Sequence, residues 1–117
     1  MERVPNTLME FKNWKFSSGS VADRDFKVFA RLFKKYIIQN IPSNSRLVNF
    51  NRGHYYVSGF IENGGKYVYF SISDVRYFHW YKNILIRTAE TERDYTGGNN
   101  YYTTLDDFKQ SVVNLMR

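Results

Sequence analysis

Residues 20–40 carry the clearest alternation of apolar and polar positions in the chain. At about 100° per residue, Phe26, Phe29, Phe33 and Ile37 fall on one stripe, with Ala30 and Tyr36 at its edges. Arg24, Lys27, Arg31, Lys34 and Lys35 gather within about 100° on the opposite side. Val28 and Ile38 flank the basic stripe, where they can pack under a loop or mark a contact surface. This spacing predicts an amphipathic helix over residues 20–41. Ser20 can accept a hydrogen bond from an orphan backbone N–H as N-cap. Asp23 and Asp25 sit in the first turn, where the helix dipole favours carboxylates, and Pro42 cannot continue the helix. Ser17-Ser18-Gly19 is the break before it. Residues 1–19 are expected to form an N-terminal arm. Their short apolar pattern fits a helical turn (Leu8, Phe11) and an extended segment (Met9, Phe11, Trp14, Phe16) equally.

After Pro42 the period changes to two. Arg46–Asn51 alternates through Val48 and Phe50. His54–Glu62 alternates Tyr55, Val57, Gly59 and Ile61 against Tyr56, Ser58 and Phe60. Asn63-Gly64 supplies the positive φ angles of a tight hairpin turn. Lys66–Ser73 comes next, with Val68, Phe70 and Ile72 on one side. Lys82–Ala89 is a further strand, and Tyr101–Thr103 fits a short edge strand. The polar stretch 91–100, with Gly97-Gly98-Asn99-Asn100, is expected as the mobile loop. Thr104 is placed to cap a last helix over 104–116, where Leu105, Phe108, Val112 and Leu115 make one apolar face. The pattern predicts a single α+β domain over 1–117. Its strands, within 46–89 and at 101–103, form an antiparallel meander sheet of three to five strands packed against an N-terminal and a C-terminal amphipathic helix.

Composition adds exclusions. The chain has no cysteine, which removes disulfides, thiol nucleophiles and cysteine-bound metal sites, and which suits a reducing cytosol. No apolar run of signal-peptide length is seen near the start, so no secretion signal is expected. No stretch approaches the roughly 18 apolar residues of a membrane span. Aromatics make up 19% of the chain, far more than a disordered chain carries.

The net charge of +6 makes a polyanion a natural partner, although solubility alone also accounts for such a balance. The charge is uneven. Residues 1–40 have eight basic and four acidic side chains, residues 41–88 six and two, and residues 89–117 three and five. The positive field therefore belongs to the first helix and the sheet. Basic residues interleaved with aromatics can neutralise phosphates and stack bases. Tyr55, Tyr67, Tyr69 and Tyr77 near Arg52, Lys66 and Arg76 would form such a platform on an open sheet face. The candidate partner- or nucleic-acid-binding residues are Arg24, Lys27, Arg31, Lys34, Lys35, Arg52, Lys66, Arg76 and Tyr77. Each has a bland counterpart: a basic stripe is also an ordinary solvated face, and alternating tyrosines also suit a half-buried pleat.

Catalytic signals are sparse. Neither His54 nor His79 has a second histidine at ligand spacing, so no metal site is expected. Glu62, Asp74 and Glu90 are available for acid–base work, but no spacing pairs one of them with a histidine. Gly97-Gly98 lacks the Lys-Ser/Thr of a phosphate-binding loop. No cofactor is expected. The surviving enzymatic alternative is a small basic ribonuclease of the RelE toxin kind, for which Arg52, His54, Arg76, Tyr77, His79, Arg87 and Tyr95 are raw material.

Four segments carry a resemblance. They are Phe11-Lys12-Asn13-Trp14-Lys15-Phe16-Ser17-Ser18-Gly19, Asp25-Phe26-Lys27-Val28-Phe29-Ala30, Ile84-Leu85-Ile86-Arg87-Thr88-Ala89 and Asp94-Tyr95-Thr96-Gly97-Gly98-Asn99. With the intervening strands they span most of the chain. The sequence resembles small accessory proteins of Gram-positive phages and mobile elements, which include anti-CRISPR inhibitors and anti-restriction or conjugation accessory domains. The resemblance implies a non-enzymatic inhibitor in the cytoplasm of a bacterial host. Its partner would be a type II CRISPR effector nuclease, its guide RNA, or the complex of the two, with no membrane involved. Such inhibitors share no common motif, so the resemblance carries over no individual residue. Many are acidic DNA mimics. The +6 charge departs from that and favours interference with guide RNA, or contact with an acidic or mixed protein surface.

Overall fold

A computed structural model of the chain describes residues 20–75, 84–96, 98–104 and 106–116. The expected N-terminal arm, together with Arg76, Tyr77, His79 and Leu105, lies outside the described residues. The elements are helix α1 (Ser20–Gln39), strands β1 (Arg46–Arg52), β2 (Val57–Asn63), β3 (Lys66–Ile72), β4 (Ile84–Ala89) and β5 (Tyr101–Thr103), and helix α2 (Phe108–Leu115). The five strands form one open antiparallel sheet in sequence order, with β1 and β5 at its edges. The expected α+β meander with a helix at each end is therefore the fold.

Burial agrees with the stripe read from the sequence. Phe26, Phe29, Phe33 and Ile37 of α1 are buried against Val57, Ile61, Val68, Phe70, Ile72, Ile84 and Ile86 of the sheet. Leu32 joins them and widens the stripe on the Tyr36 side. Each phenylalanine removed from water in this way contributes about 1.5–3 kcal/mol. Phe108 and Val112, one turn apart on α2, cover the same sheet face, and Phe108 meets the Phe70 ring edge-on with centroids 5.3 Å apart.

Three boundaries differ from the sequence pattern. Strand β2 begins at Val57, not His54, because Tyr55 takes a positive φ of 60° and the Gly53 N–H closes a turn onto the Tyr56 carbonyl at 3.0 Å. Helix α1 stops at Gln39, where Asn40 Nδ2 donates to the Tyr36 carbonyl at 2.9 Å. Helix α2 starts at Phe108, four residues after Thr104. The Thr104 hydroxyl and carbonyl both accept from the Asp107 N–H, so Thr104 closes a turn ahead of the helix and does not cap it. The β2–β3 turn is tight as expected, but its positive φ angles belong to Gly64 (60°) and Gly65 (86°), with Asn63 still paired to Lys66. Two consecutive positive φ values are what a two-residue hairpin loop requires.

The second face of the sheet has its own small core. Phe60 is fully buried yet faces away from the helices. Its ring packs on Tyr69 and Tyr95, with centroids 4.9 and 5.3 Å away. Tyr95 comes from the β4–β5 loop, which folds back across this face. Asn49 Nδ2 donates to the Glu92 carbonyl at 2.7 Å and to the Tyr95 hydroxyl at 2.9 Å. The loop expected to be mobile is thus tied to the sheet at several points.

Candidate basic cleft

The site begins with the periodicity of α1. Lys27, Arg31 and Lys34 are spaced i, i+4 and i+7, so they line one side of the helix. Ala30 stands between them and the buried stripe. It is itself buried, and its single methyl group leaves space between α1 and the neighbouring edge strand. A larger side chain there would fill that space.

Strand β1 supplies the other wall through a bulge. Val48 pairs with Phe60 but Asn51 pairs with Ser58, so Asn49 and Phe50 together oppose Gly59. Asn49 adopts a φ of 51°, a conformation asparagine tolerates better than most residues. The extra residue reverses the facing of the rest of the strand. Val48 stays on the far face, while Phe50 turns toward the helices and packs against the main core. The alternation read from the sequence had placed Val48 and Phe50 on one side, and the bulge separates them. Arg52, opposite Val57, faces the helix side at the end of the strand.

The result is an open cleft of about 430 Å³ between α1 and β1, lined by Lys27, Ala30, Arg31, Lys34, Phe50 and Arg52. Four of these six described residues are cationic. Phe50 is half-buried, and the Lys34 Nζ lies 5.9 Å from the centre of its ring, within cation–π reach.

Four of the nine residues singled out in the sequence thus converge: Lys27, Arg31, Lys34 and Arg52. Arg24 and Lys35 are exposed on α1 but line the cleft on neither side. Lys66 stands at the β2–β3 turn, where its Nζ donates to the Met116 carbonyl at 3.0 Å. It borders a separate hollow of about 350 Å³ beside Tyr67, Glu90 and Asp94. Arg76 and Tyr77 fall outside the described residues. Phe50 is the residue the sequence did not flag. Its only signal was an asparagine on each side of a strand aromatic, and asparagine is a residue that permits a bulge.

The tyrosine platform does not assemble on one face. Tyr55, displaced by its turn, packs its ring against Phe26 at 5.2 Å. Tyr69 is covered by Tyr95 and by the Arg87 guanidinium, which lies 4.6 Å from its ring centre. Arg87 is buried, donates to the carbonyls of Thr88 and Asp94, and lies 4.0 Å from the Asp94 carboxylate. Arg87 and Tyr95 therefore hold the loop to the far face of the sheet. They are not gathered with Arg52, which faces the helices.

Comparison with protein-family models, curated proteins and solved structures finds no match to this chain. Among the described residues, no three His, Asp or Glu side chains are grouped to hold a metal ion, and no helix is long and apolar enough to cross a membrane.

Proposed function

We propose that this chain acts by binding and not by chemistry. In this reading it is an inhibitor carried by a phage or mobile element that engages a CRISPR effector nuclease through the guide RNA of its complex, with RNA phosphates seated in the α1–β1 cleft. The observation that carries the reading is the convergence of Lys27, Arg31, Lys34 and Arg52 from two elements on one concavity. An ordinary solvated stripe needs no such concavity. Cations that share a concave wall attract a polyanion more strongly than the same charges spread over a convex surface. The partner class rests on the sequence resemblance. The non-enzymatic part is supported by Arg87 and Tyr95, two of the residues a ribonuclease would draw on, which are already engaged in holding a loop.

Purified protein is expected to block target cleavage by a type II effector at near-stoichiometric ratios. The triple variant Lys27→Glu/Arg31→Glu/Lys34→Glu is expected to lose that block while keeping its thermal unfolding transition. Untouched cleavage at excess protein across several type II effectors overturns the inhibitor reading. Guide RNA that is shifted on a native gel and recovered intact on a denaturing gel supports binding, cut RNA replaces it with the ribonuclease reading, and RNA neither shifted nor cut counts against both.

A further inference from the structure

The proposed cleft contains more than charge. Its lining includes an aromatic ring, and a site meant only for phosphate needs none. We infer that the cleft takes single-stranded RNA, with one unpaired base stacked on Phe50 and the flanking phosphates on Lys27, Arg31, Lys34 and Arg52. This inference rests on the polyanion reading above and narrows it to one form of nucleic acid.

The geometry favours the single strand in three ways. First, Phe50 is a half-buried side chain in the wall that β1 gives the cleft. A base inside a duplex already has neighbours on both of its faces and reaches the ring only at the cost of unstacking and unpairing. An unpaired base reaches it without that cost, and base–aromatic stacking is the common device of single-strand binders. Second, Lys27 and Lys34 are seven residues apart, about 10 Å along the helix axis, long enough for a short run of extended single-strand backbone. Third, the Lys34 ammonium lies over the Phe50 ring in the free protein. A stacking base takes that place, and the ammonium moves to the adjacent phosphate. Ala30 supplies the room, since it is the smallest of the described lining residues.

The test uses the whole chain and an unstructured 12-nucleotide RNA of mixed sequence, alone and annealed to its complement, at one salt concentration. The single strand is expected to bind at least 10-fold tighter than the duplex. Phe50→Leu is expected to weaken single-strand binding by about 5- to 100-fold, the range for losing one stacked base, and to leave duplex binding unchanged. Phe50→Tyr should restore it. With 2-aminopurine at successive positions of the strand, fluorescence at one or two positions should be quenched on binding to the wild-type chain. Equal affinity for strand and duplex, or no quenching at any position with the wild type, overturns the stacking inference and leaves the polyanion reading in place. That outcome needs no variant to fold. Loss of all RNA binding, or binding indifferent to Lys27→Glu/Arg31→Glu/Lys34→Glu, overturns the polyanion reading itself.

Discussion

Phe33 stabilises the protein through local packing and Asp94 through a loop it ties to a buried cation. Phe33 is fully buried and stacked between Phe29 and Tyr36, with centroids 5.6 and 6.5 Å away. Its place was legible from a local period of 3.6, because its neighbours in the stripe are its neighbours in sequence. Phe33→Ala should cost about 3–5 kcal/mol in urea denaturation, the usual range for a buried phenylalanine. A loss below about 1.5 kcal/mol would mean the α1 stripe is rotated from its assigned face. Asp94 works at longer range. Its carboxylate accepts from the backbone N–H groups of Glu90 (3.0 Å) and Thr96 (3.2 Å) and lies beside the buried Arg87 guanidinium. Nothing in the composition of residues 91–100 announces this, since a Gly/Asn-rich stretch looks the same whether it is tied down or not. Asp94→Ala removes two turn hydrogen bonds and takes the carboxylate away from a buried cation. Losses of this kind run to about 2–4 kcal/mol. Amide hydrogen exchange in residues 90–96 should accelerate more than the global loss of stability explains, and uniform acceleration would show that the loop is not a separate unit.

At the scale of elements, what was legible depended on whether backbone geometry stayed regular. Helix α1 and strand β3 obey one period throughout, and their faces agree with the pattern read from sequence. Asn49 in strand β1 and Tyr55 just ahead of strand β2 are non-glycine residues at positive φ, and at each the regular strand geometry breaks. That is why alternation misplaced Phe50, the aromatic of the cleft, whereas Tyr55 packs on the Val57 and Ile61 side with which the alternation grouped it, and only its assignment to a platform with Tyr67 and Tyr69 fails. The β2–β3 hairpin adds an electrostatic element. The Glu62 carboxylate accepts from Arg46 Nε of β1 at 2.7 Å and from the Gly65 N–H of the turn at 3.0 Å, so one side chain joins two strands to the turn. The Arg46 hydrogen bond, and after it that from Gly65, holds the Glu62 carboxyl below its ordinary value of 4.5. In the unfolded chain these partners are gone and the carboxyl takes up its proton first as pH falls. The contribution of Glu62 is therefore fully present above about pH 4.5 and is lost as pH drops through the folded-state value. Glu62→Gln should be less stable than wild type near neutrality, and the gap should close on acidification below pH 4.5. A gap that persists unchanged to low pH would assign the loss to packing. Because this pair is exposed, raising the salt concentration should also narrow the gap.

Over the whole molecule, charge is sorted along the chain and across the sheet. The cations of α1 and β1 meet at one edge, and Glu90, Glu92 and Asp94 lie in the β4–β5 loop that crosses the sheet's other face. A net charge of +6 draws a polyanion in from a distance regardless of where it finally sits, so affinity at one salt concentration does not separate the cleft from general attraction. The salt slope does. Each phosphate contact on a single strand steepens the fall of log K with log salt by about 0.7, so four cleft contacts give a slope near −3. Lys27→Glu/Arg31→Glu/Lys34→Glu removes three of them and should flatten the slope to about −1. Arg24→Glu/Lys35→Glu changes net charge by four units, from the same helix, without touching the cleft lining. It should slow association, most visibly at low salt, while the equilibrium slope stays near −3, because a distant charge steers the encounter and a contact sets the number of counterions released. If the two variants flatten the slope in proportion to the charge each removes, RNA meets the basic face of α1 as a whole, and the open cleft beside β1 has no special part in binding.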